Sequence, residues 1–124
     1  MREFGQLESA IMDVLWSQDQ ALAVREVRDQ LQYSRPVAYT TVMTVLTILH
    51  GKGVLRRKKD GRAWRYWPRE RRAEHDARLM AEILRSGTDQ IATMRAFHAR
   101  LTTAELDALA VAFAQRRRPR KLAG

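Results

Sequence analysis

A chain of 124 residues, 45% of them hydrophobic, suffices for one compact unit or two small ones, so wholesale disorder is excluded. Its formal net charge of +9 favours polyanions, nucleic acid first and an anionic membrane surface second. It has no cysteine, which excludes disulfides, thiolate metal sites and thiol redox switching, and suits a reducing cytoplasm.

Leu7, Ile11, Val14 and Leu15 recur at i, i+4, i+7 and i+8, the mark of a one-faced helix, which should close near Asp19-Gln20. A second helix is expected over 24–32, with Val24, Val27 and Leu31 on one face. Its start is weakly marked, because Ala23 cannot cap as Ser or Thr would. Residues 33–37 contain Pro36 and read as a turn, with Arg35 extended ahead of the proline.

The third helix should run from about Tyr39 to about His50. Val42, Val45, Leu46 and Leu49 fall on one side. Thr40, Thr44 and Thr47 fall on the other, with Met43 at the margin. Thr and Val also favour strands, but the length, the apolar spacing and the Gly51/Gly53 stop favour helix. Threonine is a modest helix former, yet it suits a surface that meets bases, offering a hydroxyl and a methyl group.

Residues 54–59 and 62–67 read as strands around Asp60-Gly61, a dipeptide that supplies the positive φ angles of a hairpin turn. Alternation sets Trp64 and Tyr66 opposite Ala63, Arg65 and Trp67. The first pair would pack on the helices while arginines and lysines project, and Pro68 would end the ladder. From Gly51 to Arg72 there are ten Lys/Arg and two acids, nearly the whole charge excess.

The remainder reads as helical. Ala73, Ala77, Met80 and Leu84 form one stripe, and Ile91, Met94, Phe97 and Leu101 another. Thr102 with Glu105 is a capping box, followed by Leu106, Leu109, Ala110 and Phe113 on one face. Three short amphipathic helices need something to bury against, and a second copy of the chain is the simplest partner. The expected dimer interface is therefore Met80, Ile83, Leu84, Ile91, Met94, Phe97, Leu101, Leu106, Leu109 and Phe113.

The fold class expected is mainly α with a small β wing: a winged helix-turn-helix over 1–70, then helical dimerisation over 71–115. A basic, disordered tail is expected over 116–124. The partner is double-stranded DNA. Thr40 and Thr44 would reach base edges, with Met43 and Thr47 nearby and Thr41 a further DNA-binding residue, and Arg35 and Tyr39 would hold phosphates at the helix entrance. Lys58, Lys59 and Arg62 at the wing tip would reach phosphate or the neighbouring minor groove, with Lys52 a further DNA-binding residue.

No apolar run approaches the roughly 20 residues of a membrane span, and the N-terminal segment has no long apolar stretch. The expectation is a cytoplasmic protein, nucleoid-associated when on DNA, without membrane insertion. Trp16 ends a helix and Trp64 belongs to the apolar hairpin face, which assigns both to packing rather than to stacking on single strands. His50, His75 and His98 lack companions at ligand spacing, so no metal or other cofactor is expected. No phosphate loop, HExxH or nucleophile elbow is present, and no enzyme activity is expected. Two rivals to a dimer that reads duplex DNA stay open: a winged-helix sensor holding a small molecule between its C-terminal helices, and a basic RNA-associated module.

Five segments resemble one known family in order and spacing. They are LESAIMDVLW (Leu7 to Trp16), VREV (Val24 to Val27), AYTTVMTVL (Ala38 to Leu46), LHGKGVL (Leu49 to Leu55) and GRAWRYWP (Gly61 to Pro68). The family is that of the penicillinase repressors, also called BlaI/MecI/CopY. The resemblance implies a bacterial homodimeric repressor whose winged helix binds an inverted-repeat operator and whose C-terminal helices make the dimer. In the β-lactam-responsive branch a membrane-bound sensor metallopeptidase triggers cleavage in the dimerisation region. By resemblance the cut would fall near Ala96-Phe97, where members that are cut carry Asn before the Phe and this chain carries Ala96. The copper-responsive branch uses a C-terminal cysteine motif, which a chain without cysteine lacks.

Overall fold

The computed structural model describes residues 4–117, and the chain divides after Leu79 into two units. The first contains α1 (Gln6–Trp16), β1 (Leu22–Ala23), α2 (Val24–Gln30), α3 (Tyr39–Gly51), β2 (Leu55–Asp60) and β3 (Ala63–Pro68). Helix α4 (Arg72–Ser86) starts in this unit and ends in the second. The strands form an antiparallel sheet in the order β1-β3-β2. Three helices with a terminal hairpin make a winged helix-turn-helix.

The apolar stripes expected from spacing become the core. Ile11, Met12 and Leu15 of α1 meet Val27 of α2, Val42, Leu46 and Leu49 of α3, and Leu22, Leu55 and Tyr66 of the sheet. Burying these side chains is the main favourable term for so small a unit.

Several boundaries differ from the expected ones. Helix α1 closes at Trp16 rather than near Gln20, because Ser17 takes over its last turn: the Ser17 hydroxyl donates to the Val14 carbonyl at 2.7 Å. Helix α2 closes at Gln30, where Leu31 turns to extended angles yet still packs on the core. Its start is marked three residues in. The Ala23 N–H donates to Glu26 Oε1 at 3.0 Å, the half of a capping box that needs no hydroxyl at the cap. Gly51 stays inside α3, and Gly53 makes the stop at φ +80°. The Val54 N–H reaches the Leu49 carbonyl and the Gly53 N–H that of His50, both at 3.0 Å, a Schellman closure.

The hairpin turn is displaced by one residue from the expected Asp60-Gly61. Asp60 pairs with Ala63, which leaves Gly61 and Arg62 as the loop. Gly61 has φ +63° and Arg62 does not have positive φ, the arrangement of a type II′ turn with glycine first. Asp60 is kept in the ladder by its carboxylate, which accepts from Arg65 Nε at 2.8 Å.

The beginning of α4 is fastened within the first unit. His75, only 3% exposed, stacks on Phe4 with ring centroids 5.0 Å apart and meets Trp16 at 5.2 Å. The Trp16 indole N–H donates to the Glu70 carbonyl at 3.0 Å. Arg72 pairs with Asp13 at 3.1 Å and lies over the Trp16 ring.

The second unit contains the end of α4, α5 (Gln90–Arg100) and α6 (Thr103–Arg117). Asp89 caps α5 by accepting from the Ala92 N–H at 3.0 Å. Thr102 and Glu105 exchange both bonds of the expected capping box, at 2.8 and 3.2 Å. Large apolar side chains are half or more exposed here, among them Met80, Ile83, Ile91, Met94, Leu109 and Phe113. Leu84, Leu101 and Leu106 are partly covered, and α5 buries no residue. The expected tail begins at 116, but α6 continues to Arg117; residues 118–124 lie outside the described residues.

Candidate nucleic-acid interface

Helix α3 is divided along its length. Val42, Leu46 and Leu49 are fully buried, while Tyr39, Thr40, Thr41, Met43, Thr44 and Thr47 are exposed. The threonines on this face are locally ordered. The Thr44 hydroxyl donates to the Thr40 carbonyl and the Thr47 hydroxyl to the Met43 carbonyl, each at 2.9 Å. Such bonding to the i−4 carbonyl commits the hydroxyl hydrogen and fixes χ1. A threonine in this state offers a methyl group and an oxygen lone pair, so it can touch a thymine methyl or accept from an amino group on a base.

Arg35, ahead of the helix, lies 5.5 Å over the Tyr33 ring, and both it and Tyr39 are exposed. At the other end of α3, Lys52 forms an ion pair with Glu8 of α1 at 3.1 Å. That pairing partly neutralises a cation expected to serve DNA. Lys58, Lys59 and Arg62 are exposed on the hairpin.

Two arrangements in the hairpin were not anticipated. The first is an Arg65 clamp. Its Nε meets Asp60 Oδ2 at 2.8 Å and its Nη1 meets Glu26 Oε1 at 2.8 Å, joining the end of β2 to the start of α2. Hydrogen bonding from the Ala23 N–H, and then from Arg65, holds the Glu26 carboxyl below the ordinary carboxylate range. Bonding to Asp60 and then Glu26 raises Arg65. The second is Trp64, assigned above to core packing. It is 37% exposed, with Arg57 4.2 Å and Lys59 5.6 Å from its ring. Tyr66 is buried in the core, and Trp64, two residues toward the turn on the same face, is left partly in solvent. Strand parity could have found this, since Leu55, Arg57 and Lys59 share a face with Trp64 and Tyr66.

Glu26 yields a pH-dependent expectation. Its folded pKa is lowered, so its stabilisation is present above the unfolded carboxylate range and lost as pH falls through the folded value. Glu26→Gln should therefore lower the unfolding midpoint at pH 7, with the difference from the parent closing as pH falls well below 4.5. Melts at a series of pH values measure it, and a constant difference across the series would contradict the role given to the ionised carboxylate.

Among the described residues no helix is long and apolar enough to cross a membrane. Among the described residues no cluster of His, Cys, Asp or Glu could hold a metal ion.

The chain is 41% identical over 119 residues to the transcriptional regulator BlaI of Mycobacterium tuberculosis, in two strains, covering 93% of this chain and 86% of that protein. Its fold is similar to the solution structure of the DNA-binding domain of the repressor BlaI. There the TM-score is 0.51 with 26% identity, covering 58% of this chain and 87% of that one. The sequence profile of the penicillinase repressor family matches residues 4–115. With that match across almost all of the described residues, the chain belongs to the penicillinase repressor family, whose members are regulators rather than enzymes.

Proposed function

We propose that this protein is a homodimeric transcriptional repressor that places α3 in the major groove of an inverted-repeat operator and rests its wing on the flanking backbone. The observation carrying this reading is the division of α3: three fully buried aliphatic residues behind, ordered threonines in front, and a cationic hairpin beside them. In this reading the first unit reads DNA. Thr40, Thr41, Met43, Thr44 and Thr47 supply sequence choice, while Arg35, Tyr39, Lys52, Lys58, Lys59 and Arg62 supply register and affinity.

The exposed apolar residues of the second unit support dimerisation, since so many large side chains left in water favour association with a second copy. Release follows an antibiotic or stress signal, through cleavage triggered by a membrane-bound sensor metallopeptidase or another form of inactivation. The Ala96-Phe97 bond lies inside α5, so a protease acting there requires local opening of that helix.

Selection of bound sequences from a random duplex pool tests the central claim. The expected product is an inverted repeat bound with a log–log salt slope near −7, from about eight phosphate contacts per dimer. Bound sequences with no common repeat would refute the operator reading.

Thr44 gives a sharper expectation. Thr44→Ala should relax base preference at one position per half-site, by about 1–3 kcal/mol. Because the hydroxyl hydrogen is committed to Thr40, Thr44→Val should retain the preference if the methyl group is what the base meets. Preference lost in both variants would assign recognition to the oxygen lone pair. Preference kept in both would remove Thr44 from the readout.

A further inference from the structure

We propose that Trp64 is a positioning residue of the DNA interface, holding Arg57 and Lys59 as a preformed phosphate site on the wing. The proposal rests on the duplex-binding reading above and adds to it Arg57, held by the Trp64 ring beside the Lys59 already given to the wing.

The ladder register places Arg57 opposite Tyr66 and Lys59 opposite Trp64, so all four share one face of the hairpin. The inner part of that face is core, with Leu55 and Tyr66 buried. The outer part is not, and there the Trp64 ring has Arg57 Cζ at 4.2 Å and Lys59 Nζ at 5.6 Å. Both distances lie within the range of cation–π attraction.

The charges of the hairpin are sorted. On the opposite face Arg65 is satisfied by Asp60 and Glu26, and Asp60 is the only carboxylate on β2 or β3. Among the described residues neither Arg57 nor Lys59 has a carboxylate at ion-pair distance. Two like charges two residues apart on one strand face repel, and the negative face of the indole is what offsets them locally.

A guanidinium that contacts a ring through its flat face keeps its in-plane N–H donors free. Those donors match a phosphodiester oxygen pair in bidentate fashion, with the Lys59 ammonium adding a point charge beside them. The ring also restricts Arg57 before DNA arrives, which reduces the ordering lost on contact. The ligand is therefore a backbone phosphate of duplex DNA, bound without regard to sequence.

The test is a salt-resolved binding titration of the full chain on a mixed-sequence duplex of about three helical turns. Arg57→Ala should weaken binding about tenfold and flatten the salt slope by about one per chain. Trp64→Leu removes no charge, yet should weaken binding several-fold, and Trp64→Phe should recover most of that loss. The Arg57→Ala/Trp64→Leu double variant should lose less than the product of the two single losses, because only the ring's hold on Lys59 is left to remove.

Losses that multiply in the double variant would overturn the proposal, because a ring acting only through packing is indifferent to Arg57. An unchanged affinity and slope in Arg57→Ala would overturn it too, and that variant leaves the ring untouched should Trp64→Leu fail to fold. Operator preference plays no part in this titration. The wing site can therefore fail while the repressor reading stands, and absence of a selected repeat can sink the repressor reading while the wing site stands.

Discussion

Leu46→Ala is expected to bring the DNA-reading unit to the edge of unfolding. Leu46 is fully buried at the middle of α3, between Val42 and Leu49 and within the cluster that joins α1, α2 and the sheet. Truncating such a leucine removes its transfer energy and leaves a cavity, together about 2–5 kcal/mol. A domain of this size has a total stability of only about 5–10 kcal/mol, so the loss is a large fraction. Urea denaturation should show a lower midpoint with an unchanged slope. Thr47→Ala, one residue along but exposed, is the matched control, and it should change stability by about 0.5 kcal/mol or less. Equal effects of the two variants would mean that α3 is turned about its axis from the orientation described.

Met94→Glu is expected to have the largest effect on operator binding of any substitution outside the DNA face. Met94 lies between Ile91 and Phe97 on the apolar stripe of α5, and all three are at least two-fifths exposed. Glutamate preserves helix propensity, so the folding of α5 is little disturbed. Under the dimer reading the same change buries an unpaired carboxylate between subunits, which costs several kcal/mol. The chain should then sediment as a monomer. A monomer loses the second reading head, and with it an avidity of about 10²–10⁴ on a paired site. Affinity for an isolated half-site should be nearly unchanged. A variant that still sediments as a dimer would take this stripe out of the interface.

The sequence made the helical parts of this molecule legible where a single period decided them. The burial of Val42, Leu46 and Leu49 follows from spacing alone, and Thr102 with Glu105 announces a helix start by local chemistry. Features decided by partners distant in sequence were not legible. Strand β1 is two residues long and too short to show alternation; it exists because Leu22 and Ala23 pair with Tyr66 and Arg65. The turn moved by one residue because Asp60 binds Arg65 rather than entering the loop. Trp64 was assigned to the core from the facing of its own strand, whereas Arg57 and Lys59 on the same face of β2 are the signal that this face leaves the core before Trp64. Of the candidate DNA surface, the threonine face was readable from α3 by itself. The Lys52–Glu8 pair and the Arg65 clamp needed the folded chain, since each joins residues about 40 positions apart.

His75 bears on how this protein can be dissected. A fragment ending at Pro68 would retain every strand of the sheet and the whole of α3, yet it would discard the imidazole that covers Phe4 and Trp16. Two aromatic flanks would then be bared to solvent, inviting clumping and non-specific adhesion. A workable minimal reading head therefore carries the opening turns of α4 with it, through Leu79.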